Sequence, residues 1–89
     1  MTLYKFIKLT PNNWPHPDRN IVLDYHDNEY GLDWDFGKGR IVSISIRMNG
    51  DVYWSAIIDE EKFNGKADKP DAMPQEIFNI FKKLGYEQS

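Results

Sequence analysis

Three glycines, Gly37, Gly39 and Gly50, space three strand-like runs of this chain so that all three fall into one register. Glycine is the default residue wherever the backbone must turn through a positive φ. With Met48-Asn49-Gly50 as a three-residue hairpin loop and Gly50 in the left-handed position, Arg47 faces Asp51, Ile46 faces Val52, Ile44 faces Trp54 and Val42 faces Ala56. The same loop over Gly37-Lys38-Gly39 sets Trp34 opposite Val42, Leu32 opposite Ile44 and Tyr30 opposite Ile46. Every inward residue of one strand then meets an apolar residue of the next. A slip of one residue would send each set to the wrong face.

A further strand is expected upstream over residues 21–26, with Ile21, Leu23 and Tyr25 inward. Asp27-Asn28 forms its tight turn, since both residues tolerate the left-handed region. That turn pairs Tyr25 with Tyr30, Leu23 with Leu32 and Ile21 with Trp34. The strands then run over 21–26, 29–36, 40–48 and 51–58. Residues 59–69 are highly charged and contain Gly65, so they read as loop, with Phe63 tucked under the sheet edge.

A helix is expected over 72–84, capped by Asp71, with Pro74 in its first turn and Gly85 closing it. Ile77, Ile80, Phe81 and Leu84 make one apolar stripe, and the inner face of the sheet is the large surface that can receive it. At the other end, Leu3, Phe6 and Ile7 fit a short helix capped by Thr2 better than a strand. Pro11, Pro15 and Pro17 make the next segment irregular, and Trp14 anchors it. The fold class is α+β: one domain over 1–89, a four-stranded antiparallel β-meander with a C-terminal α-helix on one face. Trp34, Ile44, Trp54, Ile77 and Phe81 are expected to be buried together.

Trp14-Pro15, Leu32-Asp33-Trp34, the run Asn-Gly-Asp-Val-Tyr-Trp over 49–54 and the closing helix within 74–84 resemble a group of small uncharacterised bacterial proteins built as a β-meander plus a helix. The resemblance implies that fold and transfers no activity to any residue.

Composition narrows the function classes. There is no cysteine, hence no disulfide framework, thiolate chemistry or zinc ribbon. Apolar runs are far shorter than the roughly 18 residues of a membrane span, and residues 1–5 lack the apolar core of a signal peptide. A cytoplasmic protein is expected, with no membrane partner. The net charge of −3 argues against direct nucleic-acid binding. Charge is also unevenly placed: Asp24, Asp27, Glu29, Asp33 and Asp35 stand in a stretch free of Lys and Arg.

The outward positions of the sheet gather Asp33, Asp35, Ser43, Ser45, Arg47, Tyr53 and Ser55, with Ile41 and Ile57. Small residues around an aromatic permit close approach of a partner. The expected role is therefore a small non-enzymatic binding or inhibitory protein, antitoxin-like or immunity-like. It would hold a protein with a basic surface through Asp24, Asp27, Glu29, Asp33, Asp35, Arg47 and Tyr53. One variant of this role is a phage or mobile-element inhibitor of a host nucleic-acid enzyme, with the carboxylates standing in for phosphates.

The competing reading is a ligand-binding or enzymatic site along His26, Glu29, Arg47 and Asp51, which the register aligns across four strands. Surface rows of this kind are more often ion-pair ladders. Asp24, His26, Asp27, His16 and Asp18 are metal-ligating residue types, but their spacing matches no established site, and no metal or cofactor is expected. Ser43, Ser45 and Ser55 have no neighbouring base in this register.

Overall fold

A computed structural model of the chain describes the backbone of residues 1–23 and 28–86, and the side chains of residues 1–18 and 29–86. Its elements are α1 (Leu3–Leu9), β1 (Asp18–Leu23), β2 (Asn28–Asp35), β3 (Ile41–Arg47), β4 (Val52–Ile58), β5 (Glu61–Ala67) and α2 (Gln75–Lys83). The strands form one antiparallel sheet in chain order, β1-β2-β3-β4-β5, with edges at β1 and β5. The class is α+β, an antiparallel meander with α2 against its inner face and a short helix at the start.

The register across β2, β3 and β4 is the one the glycines impose: Trp34 pairs with Val42, Leu32 and Trp54 both pair with Ile44, and Ala56 pairs with Val42. The two loops that set it are equal in length but differently built. Gly50 alone supplies the positive φ, 99°, in its loop, where its N–H donates to the Arg47 carbonyl. In the other loop Gly37, Lys38 and Gly39 all turn through positive φ (74°, 55° and 76°), and Arg40 N–H donates to the Gly37 carbonyl. Loop length, not turn type, is what fixes the pairing.

Three expectations are corrected. First, β1 pairs with β2 four residues out of the expected register: Ile21 lies opposite Tyr30, Arg19 opposite Leu32 and Leu23 opposite Asn28. An even shift leaves alternation intact, so hydrophobic pattern cannot detect it. Only the turn could, and the expected Asp27-Asn28 turn is not formed, because Asn28 belongs to β2 and lies opposite Leu23; residues 24–27, with Tyr25 and His26, lie outside the described residues.

Second, residues 61–67 are a fifth strand and not a loop. Ile57 pairs with Lys62 and Ile58 with Glu61, so Asp59-Glu60 is a two-residue hairpin loop. Both turn residues take positive φ (51° and 72°), as such loops demand. Their sequence lacks the glycine or asparagine that usually announces this turn.

Third, α2 begins at Gln75, after Pro74 as its N-cap (φ −56°, ψ 134°), and Asp71 does not cap it. A proline disfavours the helical region for the residue before it, so Met73 cannot sit inside the helix. Met73 is instead buried in the core. The other end is as expected: Gly85 has φ 97°, its N–H donates to the Lys82 carbonyl, and Tyr86 N–H donates to the Phe81 carbonyl. This pair of bonds is a Schellman closure.

α1 starts where Thr2 accepts the Lys5 N–H on its side-chain oxygen at 3.1 Å. It contributes Phe6, which is fully buried with Leu32, Val42, Ile44, Ile46, Val52, Ile77 and Phe81. Trp34, Ile44, Trp54, Ile77 and Phe81 do share one core. Each such side chain contributes roughly 1.5–3 kcal/mol by leaving water.

Phe81 is the hub of an aromatic group. Trp14 stacks on it with centroids 3.7 Å apart, while Trp34 at 5.0 Å and Phe36 at 6.3 Å present edges. The irregular segment that carries Trp14 is tied again where Trp34 Nε1 donates to the Pro15 carbonyl at 2.8 Å.

Candidate functional site

Because both helices feed the inner core, no element among the described residues lies over the other face of the sheet. That outer face takes odd-numbered positions from β2, β3 and β4 and even-numbered ones from β5. Its rows run Gly31–Ser45–Tyr53–Lys66, Asp33–Ser43–Ser55–Asn64 and Asp35–Ile41–Ile57–Lys62. Asp18 of β1 lies opposite Asp33.

The centre of this face is serine and glycine, half-buried or exposed and short, around the ring of Tyr53. Carboxylates collect on one side: Glu29, Asp33 and Asp35 on β2, with Asp18 beyond. Lysines collect on the other: Lys62 and Lys66 on β5. The sequence pattern could not reveal these lysines as part of the face, because it hid the strand that carries them. Lys66 Nζ lies 3.3 Å from Asp68 and 5.6 Å from the Tyr53 ring centroid. The hydrogen bond and charge of Asp68 raise its pKa above the ordinary lysine value, so it stays cationic at neutral pH. On the opposite side of Tyr53, the Arg47 guanidinium sits 4.6 Å from the ring centroid. Ile41 and Ile57 pair in register and stay 42% and 40% exposed, an apolar step beside Asp35.

Of the residues expected at the site, Glu29, Asp33, Asp35, Arg47 and Tyr53 therefore belong to one strand face. Asp24 and Asp27 lie outside the described residues. The row proposed for acid–base chemistry is not assembled as expected. Register puts Val22, not His26, opposite Glu29. Glu29 and Arg47 are partners across β2 and β3. Asp51, however, spends its carboxylate on local structure: Oδ1 accepts the Lys69 N–H and Oδ2 accepts from Asn49 Nδ2, each at 3.1 Å. Among the described residues no group of three or more His, Asp or Glu side chains is placed to hold a metal ion. Nor is any helix among them long and apolar enough to cross a membrane.

A cavity of about 750 Å³ opens at the end of the sheet, and Arg47 is the one residue of its lining that sequence reasoning marked for a site. Three distant segments close around it. Met1 nitrogen donates to the Gly50 carbonyl, which joins the start of α1 to the β3–β4 loop. The Asp51–Lys69 bond joins that loop to the segment between β5 and α2. Such a site is invisible in sequence because its walls come from residues as far apart as Met1 and Asp71.

No protein-family model, no curated protein and no solved structure matches this chain.

Proposed function

We propose that this chain is a small non-enzymatic binding or inhibitory protein, antitoxin-like or immunity-like, that occupies the surface of a partner protein with the outer face of its sheet. The observation that carries this reading is the carboxylate side of an uncovered face: Glu29, Asp33 and Asp35 on β2, bordered by Ser43, Ser45 and Ser55. Short side chains let a second surface come close, and the carboxylates supply the attraction. A partner with a basic surface seats over β2. Lys62 and Lys66, three strands away, repel it at the far side and so fix its orientation.

The same two lysines weigh against a mimic of nucleic acid, which needs one sign of charge along its length. A protein partner with a localised basic patch fits the divided face better.

The test is capture from lysate of the native host with three immobilised proteins: the wild type, an Asp33→Asn/Asp35→Asn variant and a Lys62→Gln variant. A basic protein retained by the wild type and by Lys62→Gln, but lost by the double variant at low salt, supports the reading. Equal retention by the double variant removes the acidic side from the interface.

A further inference from the structure

We propose that the cavity at the end of the sheet is a binding site for an aromatic carboxylate. Its size, about 750 Å³, lies within the roughly 300–1,000 Å³ of small-molecule sites. Its walls include Leu3, Tyr4, Tyr30, Met48 and Pro70, so the body of the ligand is apolar. Two of these are the most exposed large apolar side chains among the described residues. Tyr4 is 67% exposed and Met48 is 65% exposed. An aromatic ring lying between them would gain ring contact from Tyr4 and sulfur–aromatic contact from Met48.

Charge at the rim selects the head group. Lys5, Arg47 and Lys69 line the cavity, and Lys8 Nζ lies 4.5 Å from the Tyr4 ring centroid. Asp71 is the one acidic residue of the lining. In a chain of net charge −3, this end of the sheet is locally cationic. A ligand that brings its own carboxylate to Lys5 and Lys69 is therefore favoured over a neutral or cationic one.

The frame that holds these groups is fixed by structure rather than by the ligand. Thr2 caps α1 and orients Tyr4 and Lys5. Asp51 binds the Lys69 backbone and so sets the opposite wall. Arg47 borders both this cavity and the Tyr53 ring of the partner surface, so the two sites are told apart through Tyr4 and Lys5, which belong to the cavity alone.

The experiment follows the Met48 methyl resonance while the protein is titrated with naphthoate and, separately, with the neutral naphthamide. Naphthoate should shift the Met48 methyl at millimolar concentration, and naphthamide should bind at least about threefold more weakly. Tyr4→Ala should weaken naphthoate about fivefold. Lys5→Met should bring naphthoate and naphthamide close to equal affinity, while Ser55→Ala on the outer face should change neither. An unmoved Met48 methyl, equal binding of the acid and the amide to the wild type, or full affinity in Tyr4→Ala would each overturn the proposal.

Discussion

The indole of Trp54 lies flat against the backbone of Gly65, its register partner across β4 and β5. A Cβ placed on Gly65 would stand 2.6 Å from Cζ2 of that ring. Glycine inside a strand often marks close approach of another group, and here the group is a buried indole ring. Gly65→Ala should therefore destabilise by about 1–3 kcal/mol, since a buried ring has little room to move. In a Trp54→Leu background the same change should cost under about 0.5 kcal/mol. Chemical denaturation of the four proteins of this cycle checks the coupling.

The Asp59-Glu60 turn points the other way. Glu60 holds φ 72°, a conformation that costs a residue with a Cβ roughly 1–2 kcal/mol. Glu60→Gly should stabilise the protein by about 1 kcal/mol, read as a raised melting temperature. Asp59 should not be altered with it, because its carboxylate takes Arg40 Nε at 3.1 Å and ties the two hairpin loops at that end of the sheet.

Gly50 and Gly37 both turn through positive φ, yet they should respond differently. A Cβ on Gly50 would meet the Met1 nitrogen at 2.9 Å, whereas Gly37 faces open space. Gly37→Ala should cost about 1 kcal/mol from backbone strain alone, and Gly50→Ala about 2–3 kcal/mol from strain plus displacement of Met1. Equal costs in a thermal melt would mean that the Met1–Gly50 contact contributes nothing.

Lys66 gives a pH dependence with a defined sign. Asp68 raises its pKa in the folded state above the ordinary 10.5. The ion pair is then fully present below that ordinary value and is lost as pH rises through the higher, folded one. Side-chain NMR of Lys66 should show a titration that drops back towards 10.5 in Asp68→Asn. Stability should barely change, because the pair is exposed.

For the partner surface, the loss of affinity in Asp33→Asn/Asp35→Asn should shrink as salt is raised, since exposed charges are screened within about 10 Å at 0.1 M. Circular dichroism of the double variant should match the wild type, both side chains lying on the uncovered face. A deficit that persists at high salt would point to lost shape rather than lost charge.

Much of this architecture was legible because loop length and alternation constrain each other. Gly50 fixed Arg47 against Asp51 and so carried Ile44 to Trp54, while the loop of Gly37 and Gly39 carried Ile44 to Leu32. The failures share a cause: a local signal was ambiguous and a distant residue decided it. Gly65 reads as a loop signal until Trp54 is known to need the space. Asp59-Glu60 offers no glycine to mark its turn. Asp71 is a good cap by type, but Met73 precedes a proline and is needed in the core. The carboxylates of β2 were legible as a strip, whereas Lys62 and Lys66 entered the same face only with β5. The cavity had no local signal, because its walls meet through the Met1–Gly50 and Asp51–Lys69 bonds.

The stack of Trp14 on Phe81 has a kinetic meaning. Residues 10–17 make no strand ladder, and a segment with three prolines would ordinarily open ahead of the domain. Here it cannot lift without uncovering Phe81, the ring on which the sheet, the helix and the Schellman closure converge. Its excursions therefore belong to the same cooperative unit as the centre of the protein. A protease given the native state should find this proline-rich segment as hard to cut as the strands beneath it.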